Sequence, residues 1–73
     1  LTPKGKRAFD IYNCVEDGIK NSPNVNITDL IAMQASKHNV SYETARAVYY
    51  ETKKWVTEKT GIPAKFLINM PDF

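Results

Sequence analysis

A chain of 73 residues makes one domain, and at that size it buries only about 60% of the surface its unfolded form exposes, which argues against a deep pocket for a small-molecule substrate. Hydrophobic residues at 42% and charged residues at 25% exclude a disordered or membrane-embedded chain. Ten Lys and Arg against eight Asp and Glu leave +2, too mild to imply a polyanionic partner in bulk, so the distribution of charge has to decide.

Thr2-Pro3 reads as a helix start: a hydroxyl cap, then a proline whose missing N–H costs nothing in the first turn. Ala8, Phe9, Tyr12, Val15 and Ile19 then recur at spacings of three and four, with Ile11 and Cys14 widening the stripe, which predicts helix one over about 3–21. The segment "NSPNVN" is loop chemistry, with Pro23 preventing continuation. Helix two is expected over about 29–38, capped by Thr28, with Asp29 against the positive end of its dipole and Leu30, Ile31, Met33 and Ala35 as apolar positions. Ser41 caps helix three, about 42–60, whose inner face is expected to carry Ala45, Val48, Tyr49, Thr52, Trp55 and Val56. Gly61, Ile62 and Pro63 form a stop sequence in which a left-handed glycine ends the helix and a proline blocks extension. The remaining tail, 62–73, carries Phe66, Leu67, Ile68, Met70 and Phe73, too apolar for solvent, so it is expected to be ordered across the helices or across a second copy of the chain.

Between helices two and three lies one tight corner, His38-Asn39-Val40-Ser41. A turn this short demands a small residue on the preceding helix, which Ala35 supplies; Asn39 is the residue best suited to the left-handed reversal, and Val40 to plugging the angle. Ala35, Asn39, Val40-Ser41, and then Ala45 and Val48 together resemble the helix-turn-helix motif of DNA-binding transcription regulators, over residues 28 to 54. The family more often has glycine at the place of Asn39 and a β-branched residue at that of Ala45. The resemblance implies a recognition helix, here helix three, and duplex DNA as the partner.

Which face of that helix would be offered follows from 100° per residue. With Val48 and Thr52 inward, Glu43, Arg46, Ala47, Tyr50, Lys53, Lys54 and Thr57 point away. A major groove about 12 Å wide admits such a helix. Ser41, Tyr42, Glu43, Arg46 and Ala47 lie at the entering end, as candidates for base contacts: Arg46 bidentate to guanine, Glu43 accepting from a cytosine amine, Ala47 against a thymine methyl. Tyr50, Lys53 and Lys54 are candidates for phosphates, as are Thr28 with the first N–H groups of helix two. The opening "PKGKR" adds Lys4, Lys6 and Arg7 as a basic segment for backbone or minor groove.

A plainer reading gives Arg46, Lys53 and Lys54 to a solvated face, pairing with Glu43, Glu51 and Glu58 at about 0.2–0.5 kcal/mol each. Trp55 is then core, Cys14 a small buried hydrophobe, and His38 a helix-end residue whose partial charge suits the dipole. His38 has no second His or Cys at ligand spacing, so no metal and no cofactor is expected, and nothing in the spacing brings it to Cys14 as nucleophilic catalysis would require. The adjacent Glu16-Asp17 diverge on their helix, and three glycines form no phosphate loop, so an enzyme is the least supported class. One cysteine makes no internal disulfide, and no apolar run approaches the roughly 20 residues of a membrane span, so a reducing cytoplasm, at the nucleoid, is the expected setting. The opening Leu1 in place of Met is consistent with trimming or excision from something longer.

The expectation is therefore an all-α, three-helix domain that binds double-stranded DNA as a transcriptional or replication-control regulator. It is expected to act as a homodimer, since one recognition helix reads few base pairs. The dimer surface would be helix one or the tail. The alternative from another class is a small protein-interaction module, an adaptor or inhibitor docking through the outer face of helix three or through the apolar tail.

Overall fold

The computed structural model describes residues 1–67, and the protein is all-α: α1 (Pro3–Asn21), α2 (Ile27–Lys37), α3 (Tyr42–Glu58) and a short 3-10 turn, Ala64–Phe66. The Thr2 hydroxyl accepts from the Gly5 amide at 3.2 Å and fixes the start of α1, with Pro3 in the first turn. The buried line of α1 runs through Gly5, Ala8, Ile11 and Val15. Ile11 is thus central, whereas Ile19, expected on the apolar stripe, is 37% exposed. Over that last stretch α1 meets Leu30, which lies so close to Gly18 that a Cβ there would sit 2.6 Å from a Leu30 methyl. Gly18 serves a close approach between α1 and α2, and Ile19 is left outside it.

The start of α2 differs from expectation. Asn26 caps it, its Oδ1 accepting from the Thr28 N–H at 2.9 Å, and Thr28 lies inside the first turn. Asparagine outranks threonine as a cap, and Ile27 packs against the core, which draws the helix start forward. At the other end the chain closes a Schellman pair: Val40 N–H to Ala35 O at 3.0 Å and Asn39 N–H to Ser36 O at 3.2 Å. Asn39 takes the left-handed conformation, φ 55°, Ala35 is buried, and Val40 packs into the core beneath the corner. Met33, expected among the apolar positions of α2, faces solvent at 64% exposure.

Ser41 caps α3 by accepting from the Thr44 N–H at 3.1 Å. The helix ends at Glu58, earlier than the expected 60, because Lys59 and not Gly61 makes the left-handed exit, with φ 55°. The reason lies beyond the helix: Ile62 and Phe66 pack with Trp55 and Ala8, so the chain must turn back sooner than the glycine alone would dictate.

Two apolar clusters result. Ile11, Val15, Ile31, Ala35, Ala45 and Tyr49 meet where all three helices converge. Ala8, Trp55 and Phe66 close the other end, with Val48 packed against both clusters. Phe9 meets Trp55 edge-on at 5.9 Å and Tyr12 stacks on Tyr49 at 5.8 Å, while Asp10 reaches Lys37 and Gly18 touches Leu30. Both α2 and α3 therefore run counter to α1 where they touch it.

The expected tail is described as far as Leu67. Phe66 is buried against Trp55, with ring centroids 5.0 Å apart, and its carbonyl accepts from the Thr2 N–H at 2.8 Å. Gly5 is the residue that lets this turn approach, since a Cβ there would lie 2.5 Å from the Phe66 carbonyl oxygen. Ile68, Met70 and Phe73 fall outside the described residues. No helix among the described residues is long and apolar enough to cross a membrane.

Candidate nucleic-acid interface

Helix α3 divides cleanly into two faces. Ala45, Tyr49, Thr52 and Trp55 are buried, whereas Glu43, Arg46, Ala47, Tyr50, Lys53, Lys54 and Thr57 are all exposed. Thr52 is tolerated inside because its hydroxyl donates back to the Val48 carbonyl at 2.8 Å, leaving no donor unpaired. Val56, expected inside, is 45% exposed: it lies one residue past Trp55, which takes the inward position.

The outer face is tied to the core through aromatic contacts. The Arg46 guanidinium lies over the Tyr50 ring, 5.2 Å from its centroid, and Tyr50 meets Tyr49 edge-on at 5.0 Å. Tyr49 is fully buried, stacked on Tyr12, and its hydroxyl donates to Glu16 of α1 at 2.5 Å. Burial, and then the Glu16 carboxylate that accepts its proton, push the Tyr49 phenol far above its ordinary range. Tyr12 is raised in the same way, by desolvation first and by Glu16 second. Lys53 Nζ lies 5.9 Å from the Tyr49 ring centroid. Tyr50, which sequence reasoning assigned to phosphate, is thus occupied on its ring by Arg46.

The other candidate residues fall in different places. Ser41 engages its hydroxyl in the helix cap, accepting from the Thr44 N–H at 3.1 Å and donating to the Thr44 Oγ1 at 2.9 Å. Tyr42, at 36% exposure, and Glu43 stand beside it in the first turn, open to solvent. Thr28 is exposed, but its N–H is already taken by Asn26, which weakens the case for an anion there. Lys54 lies at the side of α3, lining a shallow groove with Glu51, Trp55 and the segment 60–63. Lys4 and Lys6 are exposed and Arg7 half-buried, but all three belong to the first turns of α1 and form no extended arm. That helix end is bound to the 3-10 turn through Thr2, and Lys65 of the turn reaches Glu51 of α3 at 3.8 Å.

Sequence reasoning missed a polar cluster at the corner. Asp10 of α1 receives Lys37 Nζ at 3.0 Å and faces His38 Nε2 at 2.6 Å on the same oxygen, while the Cys14 thiol donates to its other oxygen at 3.8 Å. The Lys37 hydrogen bond foremost, with His38 adding to it, holds the Asp10 carboxyl below the usual carboxylate range against a desolvation effect of opposite sign. Hydrogen bonding to Asp10 raises Lys37 correspondingly. His38 is therefore an anchor for α1 as well as a helix-end residue, and it shares the Asp10 carboxylate with Cys14. The two bond different oxygens of that carboxylate, and Lys37 Nζ donates to the Cys14 sulfur at 3.9 Å. No group of three or more His, Cys, Asp or Glu among the described residues is arranged to hold a metal ion. The pairs are separated by 28 residues for Asp10–His38 and 33 for Glu16–Tyr49, and no local spacing could have announced them.

No protein-family model, curated protein or solved structure matches the chain.

Proposed function

We propose that the chain is a helix-turn-helix protein that binds duplex DNA with α3 in the major groove, as a regulator of transcription or replication. The observation that carries this reading is the exposed outer face of α3. Arg46, Tyr50, Lys53 and Lys54 stand on it in solvent, and the corner that projects it is fixed by the Ala35–Val40 and Ser36–Asn39 hydrogen bonds. Three cations on one helical face suit a grooved polyanion. In this reading Arg46 grips a guanine, Glu43 accepts from a cytosine amine and Ala47 meets a thymine methyl, with Tyr42 beside them. Lys53 and Lys54 take phosphates along the groove wall, and Lys4, Lys6 and Arg7 add positive charge at the start of α1. The protein acts in the cytoplasm at the nucleoid, without a catalytic centre. Two copies bind half-sites about 34 Å apart.

Selecting bound duplexes from a random pool tests the reading. It predicts a recovered palindromic site, with binding that weakens at a log–log salt slope of roughly −3 to −4.5 per chain for about three to five phosphate contacts. A second reading, a protein-docking module, has the exposed Val56 and Leu67 in its favour. It predicts no enriched sequence and little response to salt.

A further inference from the structure

Arg46 and Tyr50 are one helical turn apart on α3, both exposed, with the guanidinium 5.2 Å from the ring centroid. The ring is itself steadied, because Tyr50 stands edge-on against Tyr49 at 5.0 Å, and Tyr49 is fully buried and bonded to Glu16 of α1. A surface arginine normally samples many rotamers, and ordering it upon binding costs affinity. Here the guanidinium carbon lies over an aromatic ring whose position is set by the core. The contact engages the Tyr50 ring and not its hydroxyl.

We infer that Tyr50 is a positioning residue: it restrains the Arg46 guanidinium over its ring, ready for two-pronged hydrogen bonding to the O6 and N7 acceptors of a guanine, and so sets specificity at that base pair. The inference rests on the DNA-binding reading and deepens it. Bidentate recognition needs both N–H donors aimed along one plane, and a guanidinium drawn over a ring has fewer orientations to lose before its donors meet the base. An exposed cation–π contact corresponds to about two- to five-fold in an equilibrium constant. That is the size of the effect to look for.

The test compares Tyr50→Phe with Tyr50→Leu. The phenylalanine keeps the aromatic face and loses only the hydroxyl; the leucine loses the face. On the selected duplex and on versions changed at each guanine, Tyr50→Phe is expected to match wild type. Tyr50→Leu is expected to lose about two- to five-fold of the discrimination at one guanine while its binding to mixed-sequence duplex is unchanged. A hydroxyl contact to phosphate gives the opposite pattern, in which both variants weaken equally on every duplex, and that result overturns the inference. Proton NMR of the free protein provides a readout that needs no DNA. The Arg46 side-chain protons should lie upfield in wild type and in Tyr50→Phe, and return to ordinary shifts in Tyr50→Leu. Ordinary shifts in wild type remove the stack. A stack that is present in a protein that binds no duplex removes the DNA-binding reading instead.

Discussion

The two ends of α3 are secured by different means. At its start, the hydrogen bonds that turn the backbone are all local: Ser41 caps Thr44, Val40 bonds to Ala35, and Asn39 bonds to Ser36, with Asp10 of α1 adding one distant anchor through Lys37 and His38. At its far end the chain is held by contacts that span the molecule. The Thr2 amide reaches the Phe66 carbonyl, the Thr2 hydroxyl reaches the Lys65 carbonyl across a separation of 63 residues, and Trp55 is boxed between Phe9 and Phe66. The corner can therefore be specified by a few adjacent side chains, whereas the closure exists only once the helices have assembled. The same difference shows in the left-handed residues. Asn39 tolerates that conformation because its short polar side chain suits it; Lys59 has no such aptitude and is put there by the packing that follows it.

Substitutions can break or sharpen this contrast. The largest effect is expected from Phe66→Ala, which empties the centre of the closure and should cost about 3–5 kcal/mol in urea unfolding, a large part of the stability of a chain this size. A loss under about 1 kcal/mol would mean the closure adds little beyond the three helices. A smaller and opposite effect is expected at the helix exits. Lys59→Gly should stabilise by up to about 1 kcal/mol, since relief of the left-handed strain outweighs the extra freedom of the unfolded glycine, whereas Asn39→Gly should be nearly neutral. Equal shifts in melting temperature for the two variants would remove the distinction drawn between them.

The smallest effect is expected from Asp10→Asn, at the corner. Asp10 is 41% exposed on its side chain, so the Lys37 pair is screened, and the loss at neutral pH should stay below about 1 kcal/mol. Its pH dependence is more telling. Because the folded carboxyl titrates below its unfolded value of about 3.9, its contribution is complete above that value, fades as the pH falls through the interval between the two, and is absent below the folded value. The stability difference between wild type and Asp10→Asn should therefore shrink on acidification. A difference that held constant down to strongly acid pH would show that the carboxylate charge is not what Lys37 and His38 bind.

How much of this could be read from the sequence follows from the same local and long-range division. Thr2, Ser41 and Asn39 were legible because a cap or a left-handed turn acts on residues within one turn of itself, and the outer face of α3 was legible because helical geometry alone separates Arg46 and Tyr50 from Ala45 and Tyr49. Asn26 was hidden by Thr28, a second capping residue two positions on, and the competition was decided by asparagine's stronger capping preference together with Ile27 packing against the core. The early exit at Lys59 was not visible because the glycine that should mark it lies two residues later, and the deciding contact comes from Phe66. On the candidate interface, positions were legible but the distant engagement was not: nothing local shows that Tyr49, against which Tyr50 stands, is anchored through its hydroxyl to Glu16 of α1.

The proposal stands or falls on whether the outer face of α3 is where duplex DNA sits, and amide-shift mapping of the labelled protein during titration with the selected duplex measures this directly. Binding through this face predicts the largest shifts from Tyr42 through Lys54, with the α1–α2 loop at Asn24 and Val25 unmoved. Shifts confined to the groove beside Trp55 and Ile62, with Arg46 and Tyr50 silent, would contradict it.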